Sequence, residues 1–136
     1  MTDPAVHVHD DLAVIEFVTP VLGFPDHHRF TLVRLDEDGV LCELTCIDDA
    51  SVRFLVASPF DFFPDYAPVV EDDVVELLEV TDASQVMVLL MLTAGASLER
   101  TTANLLAPIL VNTRTRRAVQ VILDSATYSV ATPLVP

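Results

Sequence analysis

The 136-residue chain sets 21 Asp and Glu against 7 basic residues, all Arg, for a formal net charge of −14. Such a surface repels phosphate backbones and anionic headgroups, which disfavours direct nucleic-acid and membrane binding and points either to basic protein surfaces as partners or to acidity that serves solubility or salt adaptation alone. The chain is 51% hydrophobic with only three glycines, enough apolar content for one folded core and too little Gly for a phosphate-cradling loop.

The charge is unevenly placed. Residues 1–82 hold 19 acids against 3 Arg, a formal −16, and residues 83–136 hold 2 acids against 4 Arg, a formal +2. The first residues lack a basic stretch leading into an apolar run, so no signal peptide is expected. The uncharged stretch 83–98 falls short of the ~20 apolar residues that a spanning helix needs. A soluble, cytoplasmic protein is expected.

In chain order, residues 12–18 read as a strand that stops at Thr19 and Pro20. Residues 30–35 and 40–47 form a hairpin about the turn signal at residues 36–39. On the second of these strands Cys42 and Cys46 would share a face about 13 Å apart at ~3.3 Å per residue. That exceeds disulfide reach, so two reduced thiols are expected. Residues 52–57 give the next strand. Residues 58–68, with Pro59, Pro64, Pro68, Phe60, Phe62, Phe63 and Tyr66, read as an ordered apolar loop, since Pro does not continue a central strand. A helix of about two turns follows. Asp73 is its expected N-cap, Glu76 is the N3 partner, and Val74, Leu77 and Leu78 form the buried stripe. Residues 86–93 are a continuous apolar run, expected to be a strand buried on both faces. Residues 104–111 read as a strand interrupted by Pro108, and residues 117–123 as the last clear strand. The fold class is mainly β in a single domain over residues 1–136, with about seven strands and one or two short helices. Pattern alone leaves barrel and sandwich both open.

Chemistry finds little support. His7 and His9 followed by Asp10 and Asp11 are the best metal-like cluster, yet two further ligands are unidentified. His27 and His28 lie in a turn without spaced partners, and a single Cys-x3-Cys is a weak zinc signal. No Gly-x-Ser-x-Gly elbow occurs. Neither metal nor cofactor is expected, and neither is catalysis. The aromatic loop is more informative. Its rings, with Asp61 and Asp65 beside them, either plug one end of the core or anchor a partner. The expected division puts some rings inward and Tyr66 outward.

Three stretches resemble the FliW family. Residues 54–66, Phe-Leu-Val-Ala-Ser-Pro-Phe-Asp-Phe-Phe-Pro-Asp-Tyr, are similar to its segment in which a strand enters a Pro-Phe…Phe-x-Pro-Asp-Tyr loop. Residues 102–112, Thr-Ala-Asn-Leu-Leu-Ala-Pro-Ile-Leu-Val-Asn, resemble its Asn-Leu-x-Ala-Pro…Asn block, which continues through Gln120 and Tyr128 to Pro133 and Leu134. Near the start, Gly23 and Phe24 followed by Phe30 match its Gly-Phe turn. Two departures stand out: Pro20 where the family usually has Gly, and no basic residue before Pro133.

The resemblance implies a small, mostly antiparallel β-barrel without an active site. It also implies two partners, the RNA-binding translational repressor CsrA and flagellin, bound by a protein monomeric on its own. Asp48, Asp49, Glu71, Asp72 and Asp73 are the expected repressor-facing acids, and Phe63, Asp65 and Tyr66 the expected partner contacts. Gly23, Phe24, Pro59, Pro64, Asn104, Pro108, Asn112 and Gln120 are expected to hold the structure. The alternatives are a protein of the same fold retargeted to another partner, and a small enzymatic or metal-binding barrel.

Overall fold

The computed structural model describes residues 14–21 and 23–135. Alternation of apolar and polar side chains sets the first strands. In β1 (Val14–Phe17) exposed and buried residues alternate, and in β3 (Leu41–Cys46) every second side chain is buried. Between them runs β2 (Arg29–Arg34), antiparallel to both, and β4 (Arg53–Ala57) continues the meander. The Asp36 carboxylate closes the expected β2–β3 hairpin by accepting from the backbone N–H of Val40 and Leu41 at 2.9 and 3.2 Å. Cys42 and Cys46 are both buried and unpaired.

The second half supplies the other wall. β5 (Val86–Thr93) has the expected bounds and pairs with β4 through Leu55–Leu92, Val56–Met91 and Ala57–Leu90. β7 (Ile109–Asn112) lies on its other side, followed by β8 (Arg117–Gln120). β8 then pairs with β1, and the ring β4-β3-β2-β1-β8-β7-β5 closes on itself through β4–β5. The barrel is therefore mixed, because β1 and β8 run parallel while the other pairs are antiparallel. Glu16 N–H donates to the Arg116 carbonyl at 2.9 Å and Val18 N–H to that of Ala118 at 2.8 Å across this junction.

Two expectations on this side need correction. The strand expected over residues 104–111 begins only at Ile109. β6 (Thr102–Ala103) pairs with the end of β5, and the chain detours before β7 begins. Asn104 makes the detour. Its Oδ1 accepts from Leu106 N–H and Ala107 N–H at 3.1 and 3.0 Å, a local turn that competes with the ladder. Pro108 enters β7 from it. The strand expected over residues 117–123 ends at Gln120, whose Nε2 donates to the Ala107 carbonyl at 3.1 Å. β9 (Thr132–Pro133) pairs with β6 outside the ring.

The helix α1 (Asp72–Leu78) is present, and its start and face differ from expectation. Glu71, not Asp73, is the N-cap, and it caps through its carbonyl, which accepts from Val74 and Val75 N–H at 3.0 and 3.1 Å. Asp73 lies inside the first turn, where its charge still meets the helix dipole. Val74, Val75 and Leu78 face inward, whereas Leu77 is 42% exposed.

The barrel interior holds Ile15, Phe17, Phe30, Leu44, Val56, Leu89, Ile109 and Val111. Phe17 meets Phe30 edge-on with centroids 5.4 Å apart, and Phe24 meets Phe54 likewise at 5.3 Å. Two further clusters lie outside the ring, one under α1 around Leu78, Leu110 and Val119, and one around Tyr66, Leu90, Ala103, Leu105 and Leu134.

Asn112 ties α1 to the barrel. It is fully buried, its Nδ2 donates to the Leu78 carbonyl at 2.8 Å, and its Oδ1 accepts from Arg114 and Thr115 N–H. Asn112→Ala leaves these backbone groups unpaired and is expected to cost about 2–4 kcal/mol in denaturant unfolding. Gly95 is a second fixed point: its N–H donates to Thr101 Oγ1, and an added Cβ would overlap the Arg100 carbonyl. Gly95→Ala is expected to lower stability by about 1–3 kcal/mol in the same measurement, as overpacking does.

Candidate protein-docking groove

β4 ends where Ser58 and Pro59 remove the chain from the ladder. A 3-10 turn (Pro59–Asp61) follows, and the Pro59 carbonyl accepts from Phe62 N–H at 3.0 Å and Phe63 N–H at 2.6 Å. Phe62 and Phe63 are half-buried against the second outer cluster. Tyr66 corrects the expectation of an outward ring: it is 6% exposed, and its hydroxyl donates to the Leu105 carbonyl at 2.7 Å. Tyr128 packs edge-on against it with centroids 5.2 Å apart. The buried carbonyl of Leu105 gives the phenol a partner, so burial costs the ring tip no hydrogen bond. Phe60 is the outward ring, 54% exposed.

Between this loop, α1 and the start of β5 runs a groove of about 630 Å³. Phe60, Tyr66, Val70, Val75, Leu78 and Val88 are among the residues that line it. Val88 belongs to both outer clusters, so the groove follows the seam between them. The polar side chains on its wall are already engaged. Tyr66 is bonded to Leu105, Thr81 Oγ1 to Gln85 Oε1 at 3.3 Å, and Asp82 Oδ1 to Ser84 N–H at 3.0 Å. Exposed acids alternate with lining residues along the chain: Asp61 follows Phe60, Asp65 precedes Tyr66, and Glu71, Asp72 and Asp73 follow Val70.

The sequence-derived acids thus fall into two groups. Asp65, Glu71, Asp72 and Asp73 belong to the segments that build the groove, with Phe63 packed behind them. Asp48 and Asp49 do not. They occupy the β3–β4 turn, beyond the Arg53–Thr45 pair and hence past the Leu92 end of β5, whereas Leu78 meets Asn112 opposite Val86, at its start. Asp49 accepts from the Ser51 hydroxyl at 2.6 Å and Ser51 N–H at 3.1 Å, which holds its carboxyl below the ordinary value; His27 Nε2 lies 3.7 Å away.

Among the structural residues, Gly23 has φ +87 in the turn where Phe24 N–H donates to the Val21 carbonyl at 2.8 Å. Pro59 is buried, Pro64 is exposed, and Asn104, Pro108, Asn112 and Gln120 shape the β5–β8 wall as described above. His7, His9, Asp10 and Asp11 lie outside the described residues. Among those described, no group of three His, Cys, Asp or Glu is placed to hold a metal, and no helix is long and apolar enough to cross a membrane.

Sequence reasoning missed the groove itself and the apolar residues left exposed in its segments: Phe60, Val69 (74% exposed) and Leu77. A signal was present at Leu77, one of four apolar residues among the seven of α1 (Val74, Val75, Leu77 and Leu78), more than one helix face can bury.

The chain is thus a small mixed β-barrel protein with an apolar groove on its outside and exposed acids in the segments beside it. Comparison with known proteins gives the family. The FliW protein family model matches residues 5–134. The flagellar assembly factor FliW of Bacillus pumilus is 42% identical over 115 residues, spanning 85% of this chain and 80% of that protein. Its counterpart in Bacillus subtilis is 34% identical over 121 residues, spanning 89% and 85%. A crystal structure of the flagellar assembly factor FliW superposes with a TM-score of 0.85 at 30% identity, covering 91% of this chain and 86% of that one. The chain belongs to the FliW family, whose members are non-enzymatic assembly factors.

Tyr66 supplies a pH test. Desolvation, then the neighbouring Tyr128, push its pKa well above the ordinary tyrosine value. The folded state therefore holds the phenolic proton after the unfolded chain has released it, and stability is expected to fall as pH rises above about 10. Denaturant melts between neutral and alkaline pH check this slope, which Tyr66→Phe flattens. At neutral pH that variant is expected to lose about 1–2 kcal/mol, because the Leu105 carbonyl is left unpaired.

Proposed function

We propose that this chain is a cytoplasmic flagellar assembly regulator, monomeric on its own, that acts by holding two proteins. One is CsrA, the RNA-binding repressor whose block on flagellin mRNA it relieves, and the other is flagellin, whose free level sets how much of the chain remains available. The observation that carries this reading is an apolar groove with an acidic margin on a barrel of the FliW family. A repressor that grips RNA displays basic surface, and acids at −14 net charge steer such a partner and orient it. Asp65, Glu71, Asp72 and Asp73 supply the charge at the groove. Asp48 and Asp49 supply it at the far turn, outside the groove. Phe63 and Tyr66 act from beneath, by holding the loop that presents Phe60.

The test mixes the purified chain with CsrA and flagellin from the same cell. Capture of both is expected, and capture of neither overturns the reading. Reversing Glu71, Asp72 and Asp73 to Lys is expected to weaken CsrA association about tenfold at low salt, with the difference shrinking as salt screens the charges. Titration by calorimetry at two salt concentrations measures it.

A further inference from the structure

A pocket for a small polar ligand needs a few free donors or acceptors aimed into it. On this groove the Tyr66 and Thr81 hydroxyls are bonded within the chain, and the Asp82 carboxylate, one oxygen of which accepts from Ser84 N–H, is the charged group among the lining side chains. Its walls are otherwise Val, Leu, Ala, Pro and Phe, and no Arg lines it. Apolar area is therefore what it offers inside, and negative charge is what it offers at the margin.

That pairing selects the occupant. We infer that the groove seats a cationic amphipathic segment of a protein partner, two or more large apolar side chains entering over Val70, Val75 and Val88 while flanking Lys or Arg face Asp61, Asp82 and Glu71. The inference rests on the proposed function for its context and names the chemistry of the segment such a partner must carry. A second copy of this chain does not fit, because apposing two grooves brings two acidic margins together, and like charges across an interface cost several kcal/mol. An anionic lipid surface fails for the same reason. The exposed ring of Phe60 at the groove is the apolar anchor available to the incoming segment, of the aromatic type that dominates binding hot spots.

The experiment titrates the intact protein with a fluorescein-labelled synthetic helix carrying Leu on one face and Lys and Arg beside it. Two control peptides replace every Leu by Ser or every basic residue by Glu. Both controls are expected to bind at least about tenfold more weakly than the parent. Phe60→Ser, at a half-exposed position, is expected to weaken the parent peptide about tenfold. The Asp61→Asn, Asp82→Asn pair, which keeps the acceptor for Ser84 N–H, is expected to weaken it severalfold at low salt and little at high salt. Glu99→Gln, at an exposed position in the turn beyond the far end of β5, is expected to change nothing. Thermal melting confirms that each variant is folded.

Equal binding by the groove variants and the parent protein overturns the inference. So does a Leu-to-Ser peptide that binds as well as its parent, a small apolar molecule that native mass spectrometry finds retained against the peptide, or a dimer in sedimentation that the peptide dissolves. The same variants separate this inference from the functional reading. If the wild-type chain captures CsrA and flagellin and the groove variants capture both undiminished, the inference falls and the function stands. If it captures neither protein yet binds the cationic helix with the pattern above, the function falls and the inference stands.

Discussion

Three adjacent strands, β5, β7 and β8, present apolar side chains on both faces, and the rest of the molecule is arranged around that demand. In β7 all four residues are buried: Ile109 and Val111 fill the barrel, while Leu110 and Asn112 point away from it. In β5 the inner set is Met87, Leu89 and Met91, and the outer set is Val88, Leu90 and Leu92. An antiparallel sheet in water tolerates one wet face, as β1 and β3 show, but not two dry ones. Each outer Leu left bare would forgo about 1.5–3 kcal/mol, so residues 58–82 and the C-terminal stretch are recruited as a cover.

The cover is fastened by two hydrogen bonds of the same kind. Asn112 reaches the Leu78 carbonyl and Tyr66 reaches the Leu105 carbonyl, each joining residues more than thirty positions apart. One fixes α1 over Leu110 and Val119, and the other fixes the Pro-rich loop over Leu90 and Ala103. Two covering pieces held from different sides meet along a line, and that line is the groove. Its apolar floor at Val86 and Val88 is the part of the dry wall that the two pieces cover only in part. The groove thus follows from how the core is closed.

Much of this was legible in the sequence where the cause is local. The hairpin about Asp36, the bounds of β5 and the break at Pro59 each follow from a few neighbouring residues. What escaped depends on distant partners. The parallel β1–β8 junction joins the first described strand to the last strand of the ring, and no turn signal connects them. The end of α1 is a left-handed Glu79 with φ 58, where the usual signal would be Gly, and Arg116 in the β7–β8 turn has φ 63 with no Gly either. Tyr66 was misplaced because its depth is decided by the Leu105 carbonyl, which only the fold brings near. The groove was missed for a related reason: it is a gap between two covers, and a gap has no residues of its own. Family resemblance singled out the segment, yet the direction of each ring had to come from packing.

Under the proposed function, charge and apolar surface divide the work of binding by range. The acids of residues 1–82 act over roughly a Debye length, about 8 Å at physiological salt, so they govern how often and in which orientation a basic partner arrives. The groove acts only on contact and governs how long it stays. Steering that is screened by salt sets the association rate, and burial that salt barely touches sets dissociation. For a protein proposed to pass between two partners, separating the two has a consequence. Both would be drawn to the same negative surface, and a partner whose apolar side chains fill the seam over Val88 would be held there longer.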